Sequence, residues 1–139
     1  MADVSKNDRE RLKKKAEELG FETEEWRWLS ADIASPAYAL SMFNRVFLRL
    51  TYDEPEKDDS ERLISATHLH TDDVLVCYKR DVGMDNVAIY VVKDLRWQGG
   101  LDRASWDDGY EYLIELIDIK RADEIVGLKD YLMELEKEV

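Results

Sequence analysis

The first twenty positions of the chain alternate between apolar and charged side chains at the spacing of a helix. Leu12, Ala16 and Leu19 recur every three or four residues, and most positions between them are charged. Ser5-Lys6-Asn7-Asp8 reads as a capping box, and Gly20 is the residue type preferred just past a helix end. The pattern predicts a helix over residues 6–19 that lays a thin apolar stripe on a sheet.

Strand patterns fill the middle of the chain, where branched and aromatic residues cluster between polar connections. The first of them puts Trp26 and Trp28 on one face, because side chains two apart in a strand point the same way. The short connections at 71–73 and 81–85 predict antiparallel neighbours, since parallel strands need a longer crossover. The predicted strands are 21–28, 46–52, 62–70, 74–80 and 86–94.

Two stretches leave alternatives open. Ser35-Pro36 fits either the start of a short helix or a turn before a strand. After the capping-box pattern at 105–108, the apolar positions 106, 110, 113, 114 and 117 have helical spacing. We expect a helix there, although three isoleucines and an Asp-Gly pair keep a strand as the alternative for 110–119.

The end of the chain has a regular apolar seam at positions 125, 128, 132, 135 and 139. This spacing predicts a helix that packs on the sheet, with a homodimer through the same seam as the alternative. We therefore predict an α+β fold in a single domain, 1–139. It has an N-terminal helix, an antiparallel meander sheet of about five strands, and two C-terminal helices packed on one face.

The amino-acid composition indicates whether the chain folds and in which compartment it is found. The chain is 45% hydrophobic and 37% charged, which is typical of a folded protein and not of a disordered one. Its single cysteine, Cys77, excludes an internal disulfide framework and fits a reducing compartment, so we expect a cytoplasmic location. The most apolar stretch, 33–50, is interrupted by polar and basic residues, so we expect no signal peptide and no membrane span.

The net charge of −12 is unevenly distributed along the chain. Residues 51–61 carry −5 and residues 102–139 carry −7, whereas the remainder is balanced. Such acidity disfavours direct binding to nucleic acids or anionic membranes and would steer a basic partner towards the surface. The alternative is that the charge serves solubility alone.

The heptapeptide THLHTDD at 67–73 holds both histidines of the chain. Residues two apart in a strand share a face, so His68 and His70 could bind one metal ion together with Asp72. The other interpretation, which we favour, is the tip of a β-hairpin whose aspartates cap a turn.

Five positions of this stretch resemble the H-x-H-x-D-H motif of the metallo-β-lactamase-type hydrolases, in which the histidines and the aspartate hold a catalytic metal pair. Here the motif runs from His68 to Asp73, and Asp73 stands where the family has its last histidine. The chain has no further histidine, so we do not assign it to that family.

Few other residues are candidates for catalysis or ligand binding. Cys77 sits in a predicted strand, where a cysteine is usually a small buried apolar residue. Arginine and tryptophan cluster around the Gly-Gly pair between residues 96 and 106, and such a loop could receive an anion or the side chain of a partner. Its candidate binding residues are Arg96, Trp97, Arg103 and Trp106.

We hypothesise that the protein is not an enzyme and needs no cofactor. It would bind a basic protein partner through its acidic surface, as an inhibitor, immunity factor, escort chaperone or nucleic-acid mimic. The alternatives are a metal-dependent hydrolase centred on His68 and His70, and a sensor of a small ligand or nucleotide that uses the 96–106 loop. The candidate acidic binding residues are Asp58, Asp59, Glu134 and Glu138.

Overall fold

The computed structural model describes residues 2–29, 35–50, 63–65, 69–97 and 110–139. Their arrangement confirms the predicted α+β fold, with an N-terminal helix, an antiparallel sheet, and an α-helix and a short 3-10 helix at the C-terminal end. The elements are α1 (Ala2–Leu19), β1 (Glu24–Trp28), α2 (Pro36–Phe43), β2 (Arg45–Leu50), β3 (Leu63–Ser65), β4 (Val74–Lys79), β5 (Val87–Trp97), β6 (Tyr110–Lys120), a 3-10 helix (Ala122–Glu124) and α3 (Leu128–Glu138).

The six described strands form one antiparallel sheet in the order β1-β6-β5-β4-β2-β3. Strands β4, β5 and β6 follow one another as a meander, and β2 pairs with β4 along six residues. The expected pairing of 62–70 with 74–80 is wrong, because β2 lies between β3 and β4. The six-residue β2 offers β4 more backbone hydrogen bonds than the three-residue β3 does.

Helices cover both faces of the sheet, and each face buries its own hydrophobic core. Core 1 lies beneath α1, and core 2 lies beneath α2 and α3. In β4, Leu75 and Cys77 enter core 1 while Val76 and Tyr78 enter core 2, as the alternation of strand side chains requires. Cys77 is 2% exposed, which confirms the expectation that it is buried.

Helix α1 begins earlier than predicted, because no helix-breaking residue separates Ala2 from Ser5. Ser5 therefore lies inside the helix, and its assignment to a capping box is wrong. The predicted end is confirmed: Gly20 has φ +81°, a left-handed conformation that glycine adopts without strain. Lys79 Nζ donates to Gly20 O at 2.8 Å and so fixes this end of α1 near β4.

The helix alternative for Ser35-Pro36 is confirmed by α2. Ser35 is the N-cap, and its Oγ accepts a hydrogen bond from Tyr38 N–H at 3.3 Å. Pro36 follows at the first helical position, where a missing N–H costs nothing. Asn44 ends the helix in a left-handed conformation with φ 58°.

Residues 110–119 belong to strand β6, so the favoured helix prediction is wrong and its alternative is right. The register pairs Leu116 with Tyr90 and Asp118 with Ile89, which leaves Ile117 as an extra residue in a bulge. The bulge interrupts the period of two in the sequence, and an interrupted alternation resembles helical spacing.

The sheet curls around core 1. Strands β1 and β2 are separated by three others, which in a flat sheet would put them about 19 Å apart. Yet the guanidinium carbon of Arg27 on β1 lies 5.3 Å from the ring centroid of Phe47 on β2. The α1 face is therefore concave, and the side chains of its two margins converge over core 1.

Helix α3 packs on the sheet, which confirms the favoured prediction for the C-terminal seam. Leu128, Leu132 and Leu135 are buried in core 2 together with Ala122 of the 3-10 helix. A homodimer through the same seam would therefore lack these leucines as contacts. None of the described helices has the length and apolarity needed to cross a membrane.

Leu132→Ala should lower the free energy of unfolding by about 2–5 kcal/mol, because the side chain is fully buried in core 2. Met133→Ala is the matched control: its side chain is 47% exposed, and we expect a change below about 0.5 kcal/mol. Urea unfolding at two protein concentrations measures both effects. A Leu132 effect that shrinks on dilution would indicate a dimer seam instead, because dimerisation stabilises the wild type less as the protein is diluted.

Candidate functional site

The described part of the THLHTDD segment, 69–73, contains a closed turn that leads into β4. His70 N–H donates to the Asp73 carboxylate at 2.8 Å, and Asp73 N–H donates back to His70 O at 3.1 Å. Asp72 occupies the left-handed region with φ 75°, which aspartate tolerates better than most residues. Asp73 thus has the turn-capping role that the favoured interpretation assigned to the aspartates.

This turn is attached to β5 rather than to β3, so it is not the tip of a hairpin between β3 and β4. Asp72 N–H donates to Val92 O at 2.8 Å, and Val92 N–H donates to Asp73 O at 2.9 Å. Arg49 Nη1 lies 4.0 Å from the Asp73 carboxylate. Hydrogen bonding to His70 N–H and the nearby guanidinium together hold this carboxylate in place.

The metal site proposed around His70 remains a prediction. His70 and Asp72 are both exposed, and His68 lies outside the described residues. Across the part of the chain that the structure describes, no three histidine, cysteine, aspartate or glutamate side chains are grouped to hold a metal ion.

Two aromatic segments that are distant in sequence meet on the face of the sheet opposite core 1. Trp26 and Trp28 of β1 share this face with Arg96 of β5, whose guanidinium carbon lies 4.1 Å from the Trp26 ring centroid. Arg96 also pairs with Glu111 of β6 at 2.5 Å. The result is an aromatic-arginine surface spanning β1, β6 and β5.

The contacts of Arg96 limit what this surface can bind. Because Glu111 already neutralises the guanidinium and Trp26 stacks on it, Arg96 is a poor receptor for a further anion. Trp97 ends β5, and its side chain lies outside the described residues, as do Arg103 and Trp106. The hypothesis of a small-ligand or nucleotide sensor in the 96–106 loop therefore remains a prediction.

A polar pair lies at the margin of core 1. Arg27 Nη1 is 3.6 Å from Glu25 Oε1, and both side chains are about one-fifth exposed. Burial raises the pKa of Glu25, and the charges of Arg27 and Arg45 only partly oppose it. The Arg27 Nε atom is buried without a hydrogen-bond acceptor among the described residues.

Nucleophiles and bases do not combine near this pair in the described residues. Burial raises the pKa of Tyr90, and its hydroxyl donates to Glu22 O at 2.7 Å. Cys77 is buried in core 1. Proton transfer from Glu25 would thus have no activated nucleophile beside it among these groups.

The predicted acidic residues of α3 lie on its solvent side. Glu134 and Glu138 are exposed, as is Asp130 one turn before Glu134. Lys137 Nζ lies 3.1 Å from Glu134 Oε1, and both side chains are more than two-thirds exposed, so water screens this pair. Asp58 and Asp59 lie outside the described residues.

An apolar surface on α2 was not anticipated from the sequence. Tyr38, Met42 and Phe43 are 53%, 59% and 54% exposed, and Met133 of the adjacent α3 is 47% exposed. Tyr38 and Met42 are four residues apart, a spacing that puts both on one side of a helix. Applied to PAYALSMF, that spacing was the signal that could have found them.

A cleft of about 230 Å³ lies between α1 and the β1–β6 pair. It is smaller than typical sites for drug-sized ligands. Arg9 and Lys13 of α1 face Glu24 and Glu115 of the strands across it. Its charged walls balance one another, and we assign no ligand to it.

Comparisons with protein-family models, curated proteins and solved structures found no match to this chain.

Asp73→Ala should lower the free energy of unfolding by about 1 kcal/mol, because His70 N–H loses its acceptor. Asp73→Asn keeps an acceptor oxygen and should cost less, and His70→Ala should leave stability almost unchanged. Urea unfolding with and without a chelator checks this. Loss of stability on chelation, with a bound ion lost in His70→Ala by native mass spectrometry, would instead establish the metal site.

Glu25 should make stability fall as pH rises. Because its pKa is raised in the folded state above 4.5, the ordinary value for glutamate, protonation of Glu25 stabilises the fold. That contribution is complete at low pH and is lost as pH rises through the folded pKa. We expect Glu25→Gln to gain stability relative to the wild type over the same range.

Urea unfolding at several pH values from 4.5 upwards measures this difference. Glu24→Gln is the control, since it removes the same charge from the exposed neighbouring position on β1. Parallel curves for the wild type and Glu25→Gln would show that Glu25 does not titrate as its burial predicts.

Proposed function

We propose that this chain is a non-enzymatic protein-binding module whose acidic surface receives a partner with a basic surface. Such a module would act as an inhibitor, immunity factor, escort chaperone or nucleic-acid mimic. The net charge of −12 supports the proposal. A cytoplasmic location belongs to the same proposal and is supported by the single, buried cysteine.

The observation that carries the proposal is the division of α3 into two sides. Leu128, Leu132 and Leu135 fix one side in core 2. The opposite side presents Asp130 and Glu134 to solvent from a rigid element of the fold. A fixed set of carboxylates loses little conformational entropy on binding a basic surface.

The long-range field has a second effect, on the rate of association. Complementary charge accelerates encounter between proteins and is progressively screened as salt is added. At physiological ionic strength the screening length is about 8 Å, so only carboxylates near the interface contribute strongly. Binding that depends on Glu134 and Glu138 should therefore be sensitive both to their charge and to salt.

The chemically capable side chains among the described residues have structural contacts that support a binding role over a catalytic one. Cys77 lies in core 1, the Asp73 carboxylate closes a turn, and Arg96 stacks on Trp26. Each of these groups contributes to the stability of the fold.

Glu134→Lys/Glu138→Lys should abolish capture of the partner. Wild-type and variant proteins serve as baits for an extract of the source cells, and bound proteins are eluted with rising salt. We expect the wild type to retain a protein with a basic surface that elutes between about 0.1 M and 1 M salt, where charge screening becomes complete. The double variant should retain little of it.

The matched control is Glu17→Lys/Glu18→Lys on α1, which changes the net charge equally on the other side of the sheet. This control should retain the partner. Equal retention by all three baits would refute the acidic-surface proposal, and equal loss in both variants would assign binding to net charge and not to α3.

A further inference from the structure

Tyr38 and Met42 of α2 and Met133 of the neighbouring α3 are exposed apolar side chains, here together called the methionine patch. All three are about half exposed, whereas the opposite sides of both helices are buried in core 2. Since α2 and α3 lie side by side on the same face of the sheet, their outward sides face the same way. Tyr and Met are among the residues enriched in protein interfaces.

Helix α2 holds this patch rigidly. Ala39 and Leu40 are completely buried beneath it. The Ser35 cap and the left-handed Asn44 fix its two ends, and Arg80 N–H donates to Asn44 O at 2.9 Å to join the second end to β4. A preorganised apolar surface binds with a smaller entropic cost than a mobile one.

Charge surrounds the patch on the α3 side. Asp130 and Glu134 share the outward side of α3 with Met133, and Glu136 lies towards the end of α2, where it pairs with Arg80 at 3.0 Å. An apolar centre with a charged rim is the usual anatomy of a protein interface. Lys129 and Lys137 also lie on α3, but its four carboxylates, Asp130, Glu134, Glu136 and Glu138, outnumber them. The rim is therefore net acidic and favours a basic complement.

We propose that the methionine patch is the apolar centre of the docking surface for a basic amphipathic helix of the partner protein. This inference rests on the function proposed above and specifies where on the surface the partner binds. The apolar side of the partner helix covers Tyr38, Met42 and Met133, and its flanking lysines or arginines meet the carboxylates of α3. A third helix laid over two neighbouring helices extends ordinary helix-on-helix packing.

The same charges disfavour a second copy of the chain as the occupant. Each copy carries −12, and an isologous contact would bring two sets of α3 carboxylates together. Methionine is suited to a partner helix of unrelated sequence, because its unbranched side chain adapts to different apolar shapes.

The four methionines make a direct test possible. In protein labelled with 13C at the methionine methyls, Met42 and Met133 report on the patch, while Met84 packs against core 2 and serves as the internal control. The probe is a synthetic leucine-lysine amphipathic helix of about 18 residues, or five turns. A leucine-glutamate peptide of the same pattern controls for charge.

We expect the leucine-lysine peptide to shift the Met42 and Met133 signals and to leave Met84 in place, with no shift from the leucine-glutamate peptide. Tyr38→Ser should weaken binding by about tenfold, a typical loss for a central aromatic contact. Ile117→Ser is the matched control, because Ile117 is 47% exposed on β6, away from the patch.

The outcomes separate this inference from the proposed function. Suppose that binding is sensitive to salt and is removed by Glu134→Lys/Glu138→Lys, but the Met42 and Met133 signals do not move. The proposed docking surface is then wrong, and the acidic-surface proposal stands. Shifts that appear on raising the protein concentration alone identify a second copy and overturn the basic helix. Equal shifts with both peptides would refute the requirement for a basic partner helix. Absence of binding at low salt would refute both proposals.

Discussion

The pairing of β5 with β6 sets the geometry of both faces. Its register runs from Val87 opposite Lys120 to Trp97 opposite Tyr110, and the remaining strands attach to its two sides, β4 to β5 and β1 to β6. Two irregularities in this ladder rotate the side chains that follow them. A slip of one residue would exchange the buried and exposed side chains of β6, and core 1 would lose its centre.

Local signals in the sequence predicted much of the fold. Gly20 marked the end of α1, and the leucine spacing of α3 identified its buried side, whereas Ser35-Pro36 left a helix and a turn equally open. Signals that depend on distant residues could not be resolved in this way. The helix prediction for 110–119 was wrong because the bulge at Ile117 depends on the register with β5. The pairing of β4 was mispredicted because β2 and β3 compete for the same edge of β4.

The candidate site was less predictable than the fold, for the same reason. The acidic positions Glu134 and Glu138 were found by charge alone, and the turn role of Asp73 by its residue type. The stacking of Arg96 on Trp26 joins segments some seventy residues apart in sequence and follows from the order of β1, β6 and β5. The spacing of Tyr38 and Met42 puts both on one side of α2, but the burial of Ala39 and Leu40 in core 2 was needed to show that this side faces solvent.

The position of the single thiol also has a kinetic meaning. Cys77 lies in β4, between β2 and β5, and packs into core 1. A thiol reagent can reach it only when this part of the sheet opens. The rate at which the native protein reacts with such a reagent would therefore measure how often this part of the sheet opens. A bound partner that slows the reaction would show that binding makes such opening rarer.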